Sequence, residues 1–148
     1  MIFANETDKI WDVGYISGTF DMFHIGHLNL IRRAKERCKK LIVGVLADDV
    51  VKKRKKKWPI HPLVDRMAIV NAIKYVDEVD ITTFELLHKD KAWEKYHFNA
   101  MFSGDDHSQG NWTNAKERAF LKEVDAELVF FPYTKETSST ILREKIEK

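Results

Sequence analysis

Two histidines three residues apart, His24 and His27, stand in the stretch Gly18-Thr19-Phe20-Asp21-Met22-Phe23-His24-Ile25-Gly26-His27. An apolar run precedes it and an amphipathic segment follows, so the stretch occupies a strand-to-helix turn. Side chains at this spacing point to one side of a helical turn. In an open parallel sheet the turn after the first strand opens onto the ligand crevice, and the helix start there offers unpaired N–H groups to an anion. A phosphate bound at that point meets both imidazoles and the backbone donors together. Either histidine alone reads equally well as a cap or a surface residue; Gly-Thr-Phe-Asp followed by His-x-Gly-His favours phosphate chemistry.

Three further clusters follow predicted strands and should converge on the same crevice. The first is the basic run 52–57, Lys-Lys-Arg-Lys-Lys-Lys. It reads as a solvated loop extended by its own repulsion, as a nucleic-acid or nuclear-targeting patch, or as a triphosphate grip in which a flexible ammonium neutralises charge. The second is Ser103-Gly104-Asp105-Asp106, a turn for which backbone geometry alone is sufficient reason. The third, residues 133–140, places hydroxyl side chains before a final helix, where they serve at least as caps.

The elements that must position these residues alternate, β-rich runs with helical patterns, and that alternation predicts a parallel sheet wrapped by helices. Strands are predicted over 12–17, 41–47, 79–83, 100–103 and 128–131. Helices are predicted over 27–38, 62–74, 84–96, 114–124 and 139–146, with Pro62 in the first turn of the second. Cys38 falls on an apolar position of the first helix. By fold analogy the five strands take the order 3-2-1-4-5 in a Rossmann-like α/β sheet with helices on both faces, and the crevice lies beside 18–27.

The chain of 148 residues suits one domain. Lys plus Arg number 25 against 23 Asp plus Glu, a net charge of +2, so global electrostatics argue for neither nucleic acid nor membrane. One cysteine excludes an intrachain disulfide and fits a reducing cytoplasm. The start lacks a cationic region with a long apolar run, and no apolar stretch is long enough to cross a bilayer. The six histidines and the single Cys38 form no zinc spacing.

The 18–27 stretch resembles the signature of the HxGH nucleotidyltransferases, and within them the cytidylyltransferase family typified by the glycerol-3-phosphate enzymes. The resemblance extends from Gly18 to about Glu144 and includes Arg66 and Tyr75-Val76-Asp77-Glu78-Val79. It implies attack by an acceptor's phosphate oxygen on the α-phosphorus of CTP, with pyrophosphate leaving, and needs no protein nucleophile. His24 and His27 then serve the α-phosphate, while Thr19 and Phe20 contact nucleotide through their backbone. Asp21 orients the turn or a Mg²⁺-bound water, the Mg²⁺ arriving with the triphosphate. Lys55, eleven residues before Arg66, matches the family's first loop lysine and Lys57 its second; an offset of one brings in Arg54 and Lys56. Asp105 belongs to the family's Gly-Asp-Asp, here followed by His107 rather than Trp. Thr134, Ser138, Ser139 and Thr140 match its phosphate-binding hydroxyls. Tyr133 stands where the family has arginine, and Lys135 is the cation that could replace it.

Glycerol 3-phosphate leads as acceptor by this resemblance, with Lys89 as its contact and Lys91 as an alternative. Phosphocholine and phosphoethanolamine are other acceptors. Residues 138–143 also resemble the end of ATP-using adenylyltransferases, and a different class is a non-catalytic nucleotide- or nucleic-acid-binding domain. The family further implies a homodimer. The expectation is therefore a cytoplasmic enzyme whose partners are CTP and a phosphorylated small alcohol, without nucleic acid or membrane insertion.

Overall fold

A computed structural model describes residues 1–104 and 112–132. Its centre is an all-parallel sheet of six strands: β1 (Ile2–Phe3), β2 (Trp11–Gly18), β3 (Cys38–Leu46), β4 (Glu78–Thr82), β5 (Ala100–Gly104) and β6 (Glu127–Phe131). Their spatial order is β1-β6-β5-β2-β3-β4. Helices α1 (Ile25–Lys35), α2 (Asp48–Lys55), α3 (Leu63–Asn71), α4 (Lys89–Tyr96) and α5 (Ala115–Glu123) connect them. Among the described residues no helix is long and apolar enough to cross a membrane.

Alternation along the strands sorts side chains to two faces. Ile16, Val43, Val45, Phe102 and Val129 join Ile31 and Ala34 of α1 and Val70 of α3 in one core. Tyr15, Ile42, Met101 and Leu128 join Ala92 of α4 and Leu121 of α5 in the other. The run Leu41–Leu46 is buried throughout, as an interior strand covered on both faces requires. Gly44 lies in it because a Cβ there would collide with the Thr82 hydroxyl and come within 3.0 Å of Tyr15 Oη. Among the described residues, both hydroxyls are buried and without a hydrogen-bond partner of good geometry.

The expectation of five strands needs correction. The sheet has a sixth, β1, in which Ile2 and Phe3 pair in parallel with Val129 and Phe130. Two residues are too short for any periodicity, so nothing in the sequence marks them. Without β1, the remaining strands succeed one another as expected, third, second, first, fourth, fifth. Arg37 holds the chain behind β1 by donating to the carbonyls of Ala4, Thr7 and Lys9.

Three local expectations also change. Cys38 opens β3 rather than riding on α1, because the helix ends at Glu36 and the Arg37 carbonyl already accepts from Trp11 N. The basic run is not a loop: residues 52–55 form the last turn of α2. Val50 and Val51 anchor that helix against Leu46, Ala47 and Leu87. Its first turn carries Asp48 and Asp49 and its last the cations, the arrangement a helix macrodipole favours. The segment after β4 is a short 3₁₀ turn, Glu85–Leu87, followed by α4. The expected final helix over 139–146 lies outside the described residues.

Candidate active site

The turn after β2 is built from backbone that few side chains adopt. Phe20 and Met22 have φ of 53° and 46°, in the left-handed region. Phe20 is held there by burial, with its ring edge-on to His27 at 5.6 Å and tilted to Phe23 at 6.4 Å. This turn delivers His24 to the N-cap of α1 and His27 to its third position.

Both imidazoles are fixed by the helix start itself. His24 Nδ1 accepts from Gly26 N at 2.9 Å, and His27 Nδ1 accepts from His24 N at 3.1 Å. A neutral imidazole whose Nδ1 accepts carries its proton on Nε2. The rings lie 4.0 Å apart, centroid to centroid. Burial lowers the pKa of His24; burial, then the neighbouring His24 and Lys55, lowers that of His27 to about 4. At neutral pH the pair therefore consists of uncharged Nε2–H donors at a helix start.

Asp21 ties this turn to the segment that follows α2. Its Oδ2 accepts from Ile60 N at 2.7 Å and its Oδ1 from His61 N at 2.9 Å. Burial would raise this carboxyl, but the two amide bonds and the charges of His61 and Arg66 outweigh it and hold the pKa below the usual value. Arg66, fully buried, donates to His61 O, Thr19 O, Leu46 O and Asp48 Oδ1 at 2.9, 2.8, 2.8 and 2.6 Å. One guanidinium thus joins the turn after β2, the end of β3, the start of α2 and the entry to α3. In the sequence Arg66 belongs to the family resemblance and marks the spacing to Lys55. The bracket it makes with Asp48 has no signal in the sequence, because the other acceptors are carbonyls from three separate segments.

Among the predicted phosphate-binding residues, Lys55 ends α2 within electrostatic reach of His27. It lowers the pKa of His27, and its own is lowered by burial and by Arg54, with Asp21 opposing. Lys57 is exposed beyond Lys56, the left-handed residue that caps α2. The Thr19 carbonyl is taken up by Arg66. Lys89 is buried at the first position of α4, with its ammonium 4.5 Å from the Trp112 ring centroid and donating to the Trp112 carbonyl. Asp105, His107, Tyr133, Thr134, Lys135, Ser138, Ser139 and Thr140 lie outside the described residues. Among those described, no group of three His, Cys, Asp or Glu side chains is arranged to hold a metal ion.

Residues 15–145 match a family model described as cytidylyltransferase-like. The glycerol-3-phosphate cytidylyltransferase of Bacillus subtilis is 32% identical over 137 residues, covering 87% of this chain and 92% of that one. A FAD synthase of Pyrococcus abyssi is 47% identical over 66 residues, covering 45% of each chain, so that match spans under half of the relative's length. Among solved structures, the lipopolysaccharide core biosynthesis protein from Thermoplasma volcanium superposes with a TM-score of 0.68 at 18% identity, over 84% of this chain and 98% of that one, a likeness of fold.

Proposed function

The chain belongs to the cytidylyltransferase-like family, and from that premise we propose that it transfers CMP from CTP to a small phosphorylated alcohol, glycerol 3-phosphate first among them. The observation that carries this reading is the pair of neutral Nε2–H donors, His24 and His27, at the start of α1 beside Lys55. The likeness to the Bacillus subtilis enzyme over most of both chains supports the choice of nucleotide and acceptor.

In this reaction an acceptor phosphate oxygen forms a bond to the α-phosphorus of CTP as the bond to the bridging oxygen breaks, and pyrophosphate leaves. The attacking oxygen is already anionic, so no residue need accept a proton. Catalysis is in-line positioning and stabilisation of charge on the α-phosphoryl oxygens. His24 and His27 donate to those oxygens, and donors held by the backbone require little reorganisation. Lys55 and Lys57 offset charge on the triphosphate and acceptor phosphate, and the backbone of Thr19 and Phe20 meets the nucleotide. Asp105, Thr134, Ser138, Ser139 and Thr140 complete the nucleotide site, with Lys135 in the role of the family's arginine. A Mg²⁺ carried with the nucleotide would add further charge neutralisation. Asp21, with both oxygens engaged by amides, serves to orient the turn and would be the residue to hold a water of the metal. Lys89 contacts the acceptor, and the active species is a cytoplasmic homodimer.

A second reading, transfer of AMP from ATP to a flavin phosphate, is favoured by the likeness to the Pyrococcus abyssi FAD synthase. Pyrophosphate release measured for four nucleoside triphosphates against glycerol 3-phosphate, phosphoethanolamine, phosphocholine and flavin mononucleotide separates the two. The highest rate with CTP and glycerol 3-phosphate supports the first, and ATP with the flavin phosphate the second. No release with any pair, together with tight RNA binding that weakens steeply with salt, would overturn both.

A further inference from the structure

Glu117 stands where α5 meets α4 and accepts three hydrogen bonds. Its Oε2 accepts from Lys89 N at 2.7 Å; its Oε1 accepts from Asn114 N and from Thr113 Oγ1, each at 3.3 Å. The bond to Asn114 is half of an ordinary capping box. The bond to Lys89 is not, for it caps a second helix, so one buried carboxylate joins the positive ends of α4 and α5. The residues fixed in this way frame the Lys89 ammonium, since Lys89 itself begins α4 and Trp112 immediately precedes Thr113. Within the described residues, the charged groups facing Lys89 are Glu117 from α5 and Arg54 from α2. Arg54 lies one turn beyond buried Val50, in a helix packed against Leu87, two residues before Lys89.

We propose that Glu117 is a positioning residue for the acceptor: by capping α4 and fixing the entry to α5 with one carboxylate, it holds Lys89 and Trp112 as a unit that receives the acceptor's phosphate. The inference rests on the nucleotidyl-transfer reading above. A buried ammonium has lost most of its water, and a phosphate dianion is a group that would compensate that loss. Burial depresses Lys89 to about 8, with Glu117 opposing the depression and Arg54 adding to it. The cation is present below that value, and affinity for the acceptor declines as pH rises through it. Removing the charge of Glu117 moves the decline to lower pH.

Steady-state kinetics from about pH 7 to 9.5, with the best nucleotide and acceptor from the panel, test this in wild type, Glu117→Gln and Lys89→Arg. Glu117→Gln is expected to raise KM for the acceptor about 10-fold, the scale of one charge-assisted bond, with kcat and the nucleotide KM within about twofold. Its alkaline limb in kcat/KM for the acceptor should shift to lower pH, and in Lys89→Arg that limb should disappear. Equal rises in both KM values, or an unmoved limb, would mark Glu117 as structural only and overturn the proposal. Should Glu117→Gln fail to fold, persistence of the limb in Lys89→Arg overturns it. A wild-type protein that transfers no nucleotide to any acceptor removes the reading beneath, and the proposal with it.

Discussion

Replacing Arg66 by Met removes a guanidinium while keeping most of the buried stem. Three carbonyl acceptors and the Asp48 carboxylate lose their donor. The bond to Leu46 O is buried and those to Thr19 and His61 are partly buried, while Asp48 is 39% exposed and can rehydrate. At about 1–3 kcal/mol for a buried acceptor left unpaired, and less for those that water can reach, the loss should total about 3–5 kcal/mol. For a chain of this length that corresponds to a fall in Tm of about 10 °C. Lysine should restore little, because one ammonium cannot span four acceptors in the geometry of the fork. Differential scanning calorimetry of wild type, Arg66→Met and Arg66→Lys measures it. A shift below about 3 °C for Arg66→Met would refute the view of this side chain as the bracket of the site.

His24→Ala and His27→Ala should each lower turnover about 10²- to 10³-fold with the fold intact by circular dichroism, as expected for losing one transition-state donor. The pKa of His27 is depressed to about 4, so kcat should stay level through pH 6.5 with no limb from this ring. Its contribution to stability, whole above about 6.5, should be lost as pH falls toward 4, because the unfolded chain binds the proton more readily; a Tm that rose on acidification over that range would contradict the sign. Lys55→Ala should raise the nucleotide KM well above the value for Lys52→Ala, since Lys55 lies within electrostatic reach of His27 while Lys52 lies over the Trp58 ring; equal small effects would refute the assignment. Gly44→Ala should destabilise by about 1–3 kcal/mol in urea titration, as its methyl displaces two buried hydroxyls.

His24 and His27 were legible because helical spacing alone brings them to one side of the turn. Their protonation was not, since the tautomer depends on amides of Gly26 and His24 that no periodicity reveals. The like charges of 52–57 point to a loop, whereas the burial of Val50 and Val51, which secures a helix over the first four of them, shows only in the tertiary structure. The spacing of Cys38 continues the apolar stripe of α1 past the point where Glu36 ends the helix, so the pattern alone does not show the boundary. Asn114 and Glu117 stand three apart in a capping-box pattern visible in the sequence. The second bond of Glu117, to Lys89 28 residues away, required the tertiary structure.

The short strand β1 acts as a guard. By pairing with Val129 and Phe130 it covers the outer edge of β6, the segment Glu-Leu-Val-Phe-Phe. Such an edge, rich in aromatic and branched side chains, is a template for strands of other molecules when bare. Two residues contribute little cohesion of their own, and the Arg37 clamp on the carbonyls of Ala4, Thr7 and Lys9 supplies what they lack. Handling that detaches the first residues, by proteolysis or truncation, would therefore show itself first as self-association, before any change in the distant histidines.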